Sequence, residues 1–157
     1  MKMRKFIGGA VAAVILAGSV SPMVAQADGK KERYLESQYR HDMMEHAKYM
    51  AGNMMQLLKG QAAHEGHIEK LADILALSAS MTKASFEKDT RGMEGHTEAK
   101  DAIWENWEEF AEAADKYSAD AAAFAVAAKS GDKAATGKAF GKAMSNCKSC
   151  HDKYKDG

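Results

Sequence analysis

The sequence predicts an all-α protein, an antiparallel four-helix bundle, on three observations. Its single proline, Pro22, lies near the N-terminus, so nothing after it is interrupted by a residue that breaks helices. The remainder is rich in Ala and Met and poor in β-branched residues, a composition biased towards helix. Four stretches carry apolar residues at three- and four-residue steps, and none alternates in the manner of a strand.

Residues 1–27 read as a secretory signal peptide. Lys2, Arg4 and Lys5 precede the apolar run Phe6 to Val20, and Ala25-Gln26-Ala27 supplies a small-x-small cleavage site. The expected mature domain covers 28–157, beginning at Asp28, and the expected compartment is the bacterial periplasm. The leader carries three of the 22 Lys and Arg and none of the 22 Asp and Glu, leaving 19 against 22. Without a basic excess, nucleic acid is not an expected partner. No second apolar stretch is long enough to span a membrane, so no membrane association is expected after cleavage.

The first helix is expected from about Lys31 to Leu58. Leu35, Tyr39, Met43, Met50, Met54 and Leu57 form a stripe, and Lys59-Gly60-Gln61 supplies a stop. A second, about Ala63 to Ser80, buries Ile68, Leu71, Ile74 or Leu75, and Ser78. Thr82 to Thr97 lacks periodicity and is the longest expected connection. The third, about Glu98 to Lys129, is the most regular. Ile103, Trp107, Phe110, Ala114, Tyr117, Ala121, Phe124 and Ala128 alternate steps of four and three, a seam suited to shallow-angle packing. Ser130-Gly131-Asp132 separates it from the fourth, with Asp132 as N-cap, which runs through Phe140 and Met144 to about Lys155.

That last helix carries Cys147-Lys148-Ser149-Cys150-His151, the C-x-x-C-H pattern of c-type haem attachment. Two thiols can add across the vinyl groups while the adjacent imidazole binds the iron. Positions i, i+3 and i+4 of a helix share one face, so one helix can both tether the porphyrin and ligate its metal. A zinc site normally needs four ligands, usually from two separated pairs, and only one pair is present. A thioredoxin-like pair usually opens a helix in an α/β setting, whereas this one closes a helix in an all-α chain. The cysteines Cys147 and Cys150 are the only two in the chain, which leaves no disulfide framework. The expected cofactor is one covalently attached haem c, with His151 as proximal iron ligand.

Several segments besides the motif carry a family likeness. The terminal run Cys147 to Lys155 has an aromatic and a basic residue after the histidine. Tyr39-Arg40-His41-Asp42-Met43-Met44, the stretch Gly52-Asn53-Met54-Met55 through Lys59-Gly60-Gln61, and Ile103-Trp104 complete the pattern. In these the chain resembles the cytochrome c-prime family, and in pattern its low-spin cytochrome c-556 members most. Periodicity alone leaves Met43, Met44, Met50, Met54 and Met55 as alternative distal residues, with ordinary core packing as a further role for each. The family register, five residues after the tyrosine, implies Met44 as the distal iron ligand.

The resemblance also implies that Arg40 pairs with a haem propionate, as against a solvated helix-surface arginine. Lys155 has two readings, a place near the proximal haem edge or a favourable charge at a helix C-terminus. His64 and His67 are expected on the surface, not in a second metal site. The implied function is a periplasmic mono-haem electron carrier with low-spin His/Met iron, serving unidentified redox partner proteins. The alternative is binding of nitric oxide or carbon monoxide by displacement of a labile distal methionine. No enzymatic turnover is expected. The resemblance leaves monomer and homodimer both open, a dimer using exposed apolar surface on the first two helices.

Overall fold

The computed structural model describes residues 31–156. The signal peptide and cleavage site read from the sequence lie outside them. The order is α1 (Leu35–Leu58), α2 (His67–Ser80), a 3-10 turn (Ala84–Phe86), α3 (Ala102–Glu105), α4 (Trp107–Ala128) and α5 (Lys133–Tyr154). The four long helices form the bundle, in which α4 packs against both α2 and α5, and α1 lies on α2. Among the described residues there is no strand, only two isolated bridges.

Three of the expected helices begin later in the structure, the first at Leu35 instead of about Lys31. The first turn expected of the second helix is replaced by a turn that ends at Gly66, whose φ of 69° suits glycine, and α2 starts at His67. The third differs more. Residues 98–100 are not helical, because their backbone groups pair with the end of α5. Asp156 donates its N–H to the Glu98 carbonyl at 2.8 Å, and Lys100 donates to the Tyr154 carbonyl at 3.0 Å. Asn106 then divides α3 from α4 with φ −127° and ψ 48°. Its side-chain amide donates to the Ala102 carbonyl at 3.2 Å, the kind of local competition that disfavours Asn inside helices. At the other end of α4 the sequence reading holds, and the Asp132 carboxylate caps α5 by accepting from the Ala134 and Ala135 amides.

The strap before α3 is also tied to the start of α1. His96 donates to the Glu32 carbonyl at 2.8 Å. Gly95, at φ 128°, lies so close that a Cβ there would stand 2.9 Å from that same carbonyl oxygen. Residues 32–34, 95–100 and 154–156 are thereby joined at one end of the bundle.

The core is split into two clusters. Met54, Leu75, Phe124 and Phe140 close one with alanines from α2, α4 and α5. The second, at the strap end, contains Phe86, Ile103, Phe110 and Tyr154, with Met44, Trp104, Trp107 and Cys150 packed against it. Edge-on contacts of Phe110 with Phe86 and Tyr154, at 5.0 and 5.2 Å between centroids, knit this aromatic group together. Of the two α2 candidates, Leu75 is fully buried and Ile74 is 52 % exposed.

One buried polar network locks α4 to α5. The Asp120 carboxylate accepts from Lys116 Nζ at 2.6 Å, Lys142 Nζ at 2.8 Å and Asn146 Nδ2 at 2.9 Å. These donors hold its carboxyl far below the usual range, Lys116 contributing most. A depressed folded-state value means that the network stabilises the fold above the unfolded pKa of about 4. That contribution is lost as pH falls from there towards the folded value. Asp120→Asn is expected to cost about 1.5–3 kcal/mol at neutral pH. Denaturant unfolding at pH 7 and pH 3 checks this. The variant's deficit should shrink at the lower pH, and an equal deficit at both would refute the charged network.

Candidate functional site

A cavity of about 600 Å³ lies where the second cluster meets α1, α4 and α5. It has the size of a pocket for a small organic cofactor. α5 contributes Cys147, Cys150 and His151, which one face of a continuous helix delivers together, as the motif spacing requires. The two cysteines are half-buried and not joined in a disulfide, and burial pushes both thiol pKa values up. A reactive thiolate needs the opposite shift, so the redox-thiol reading loses its chemical basis. Burial, then Lys155, lowers the pKa of His151 and favours the neutral imidazole that can donate a lone pair to a metal.

Arg33, just before α1, and Ser37, Arg40 and His41 in its first turns form a polar stretch of the wall, and the next turns offer Met44, Ala47 and Ala51 together with Glu45 and Lys48. Met44 is the methionine of α1 that lines this cavity. Met43 and Met50 line a separate groove against α2, Met54 is fully buried in the first cluster, and Met55 is exposed. The tertiary packing therefore separates candidates that periodicity left together.

Arg40 is only 4 % exposed, which removes the solvated-surface reading. Its Nη2 donates to Tyr34 Oη and to Thr90 Oγ1, both at 3.1 Å, and its guanidinium lies 4.9 Å from the Phe86 ring centroid. Nη1 is buried without a partner, leaving donor capacity for an anionic group. Tyr34 and Thr90, which brace this arginine, carry no motif and lie 56 residues apart. Thr97, Glu98 and Ala99 of the strap close another part of the rim. Glu98 stands between Arg33 and Lys155, at 3.5 and 3.6 Å. Burial raises its carboxyl pKa, but the fields of Lys155 and Arg33 outweigh that and bring it below the usual range. Lys155 thus belongs to the cavity rim beside His151.

The remaining histidine pair lies apart from this site. His64 and His67 are exposed and stack on each other at 4.9 Å. No group of three or more potential ligands that could hold a metal occurs among the described residues.

An apolar chamber with two thiols and an imidazole on one helix, and an unsatisfied buried arginine on another, fits an amphipathic porphyrin with carboxylate arms. Fold and site together define a helical-bundle c-type cytochrome. The chain belongs to the cytochrome c' family, whose model, described as Cytochrome C', matches residues 36–155. It is 38 % identical over 101 residues to a cytochrome c' of Pararhodospirillum photometricum, covering 64 % of this chain and 79 % of that protein. Among solved structures it resembles cytochrome c prime from Shewanella frigidimarina. That match has a TM-score of 0.70 and 31 % identity and covers 78 % of this chain and 94 % of the other. A nitric oxide complex of a mutant cytochrome c prime from Alcaligenes xylosoxidans matches with TM-score 0.69 and 25 % identity, over the same shares. The cofactor is haem c, covalently attached, one per chain.

These relatives overturn the expectation of a low-spin electron carrier whose iron is fixed between His151 and Met44. The matches are to cytochromes c', including nitric oxide complexes, and give no support to a closer likeness to the cytochrome c-556 members. The error has a physical source. Methionine at one helical position can be a ligand or an apolar wall, and residue type alone does not separate a permanent ligand from one that yields.

Proposed function

We propose that this chain binds nitric oxide or carbon monoxide at its haem, with Met44 as the distal group that gives way. One observation carries the reading, a cavity whose α1 wall beyond Arg40 and His41 sets Met44, Ala47 and Ala51 beside the mutually paired Glu45 and Lys48. When bound, haem supplies an iron that coordinates a diatomic gas on the face not taken by the protein's imidazole. Cys147 and Cys150 hold the cofactor, His151 is the proximal ligand, and Arg40 engages a propionate. The thioether of Met44 is soft and uncharged on an unbranched, flexible side chain, suited to occupying a position and then leaving it. The small alanine side chains beside it leave space into which it can swing. The activity proposed is binding without turnover.

Absorption spectra of the reduced holoprotein before and after carbon monoxide, and then nitric oxide, test this. Rapid conversion to a gas adduct is expected, and a spectrum unmoved by either gas would eliminate the reading.

The leader read at residues 1–27 supports a periplasmic location, where haem attachment follows export. A homodimer is also proposed, because Tyr49, Ile74, Leu77 and Met81 leave exposed apolar surface along the groove between α1 and α2. Equilibrium sedimentation at micromolar concentration should return twice the chain mass, and a single-chain mass throughout would exclude the dimer.

A further inference from the structure

The charges that line the cavity do not balance. Four are cationic side chains of Lys and Arg, namely Arg33, Arg40, Lys48 and Lys155, against the two carboxylates of Glu45 and Glu98. The excess of two positive charges matches the two carboxylates of a haem. Lys48 is committed to Glu45, whose oxygens lie 2.8 and 2.9 Å from its ammonium. Arg40 has no carboxylate partner and keeps one buried nitrogen free. Glu98 is shared between two cations at distances of 3.5 and 3.6 Å, both longer than a close charge-assisted hydrogen bond. One cation of that trio is therefore in excess.

Arg33 is the better placed of the two for a planar acceptor. Its side chain is 14 % exposed, whereas that of Lys155 is 40 % exposed. It lines the cavity just before α1, seven residues before Arg40, where Ser37 Oγ accepts from its Nη1 at 3.3 Å. Nη2 faces Glu98 over 3.5 Å. A guanidinium held this loosely has donors left for a second carboxylate, and its fork suits bidentate pairing. We infer that Arg33 binds the second haem propionate, with Glu98 as the counter-charge that positions it, while Arg40 binds the first. This rests on haem occupying the same cavity as the proposed gas site. It assigns both propionate contacts to cationic side chains at and just before the start of α1.

The test uses holoprotein carrying Arg33→Gln, Arg33→Lys or Glu98→Gln, with parent protein alongside. Resonance Raman reads the propionate bending modes, redox titration reads the midpoint potential, and carbon monoxide is added to each sample. Arg33→Gln should shift a propionate mode and lower the potential, since removing a nearby cation favours the ferric state. Arg33→Lys should return the potential to the parent value while the mode stays shifted, because charge is restored and the planar fork is not. Glu98→Gln should move the potential the opposite way. An Arg33→Gln protein with unaltered propionate modes overturns the inference, even if its potential falls, because a distant charge alone would do that. Shifted modes with no adduct in any sample, with carbon monoxide or with nitric oxide added after it, would uphold Arg33 and refute gas binding. Adducts with unaltered modes would do the reverse.

Discussion

Serine at both Cys147 and Cys150 abolishes covalent haem, and the denatured double variant has the mass of the polypeptide alone. Each single variant keeps one thioether and retains the haem mass. The expectation follows from placement, since both thiols stand on the cavity face of α5 and no other cysteine exists to replace them. Their raised thiol pKa values argue against a separate life as a redox pair at neutral pH. Intact mass after acid–solvent extraction measures the effect directly. A double variant that still carried haem through extraction would refute attachment at this motif. Non-covalent haem could still occupy the cavity of the double variant, because His151 and the aromatic cluster are untouched. Its loss on extraction, not its absence from the native protein, is therefore the decisive reading.

Met44→Leu raises carbon monoxide affinity about tenfold if the thioether occupies the distal position nine parts in ten, because binding is then weakened by the fraction of competent sites. Leucine conserves volume and cannot coordinate, so the gain should come with a stability loss below about 1.5 kcal/mol. Met44→Ala should show the same gain in affinity but a larger loss of stability. It removes a side chain packed against the cluster of Phe86, Ile103, Phe110 and Tyr154. Equilibrium titration of the ferrous holoproteins with carbon monoxide measures the affinity. Unchanged affinity in Met44→Leu would show that the thioether does not compete with gas. Met43→Leu is the companion measurement, expected to leave affinity alone because Met43 lines the groove against α2.

The long helices were legible because their periodicity is long and regular. The seam from Ile103 to Ala128 is buried or half-buried throughout. The lapses fall where backbone groups find partners remote in sequence. Residues 98–100 carry no signal that they will pair with Tyr154 and Asp156, and Asn106 looks like any polar position on an amphipathic helix. Leu35 and Tyr39 satisfy the α1 pattern yet are 86 % and 54 % exposed, since the pattern marks a face without saying whether another element covers all of it. The rim was equally silent. Tyr34, Thr90 and Glu98 acquire roles only by meeting Arg40, Arg33 and Lys155 in space.

The sequence by itself determined that the candidate attachment residues share one helix face, because Cys147, Cys150 and His151 lie within five residues and one helix turn sets their geometry. It likewise determined the bundle, through repeated local spacing. Only the tertiary structure placed Met44, and not Met43, in the cavity, buried Arg40 with a free donor, and set Glu98 between two cations. Those facts depend on how α1 packs on α2 and α5 and on a strap closed by hydrogen bonds between distant segments. A one-residue step turns a helical side chain by about 100°, so no count along the chain fixes which face a neighbour will meet.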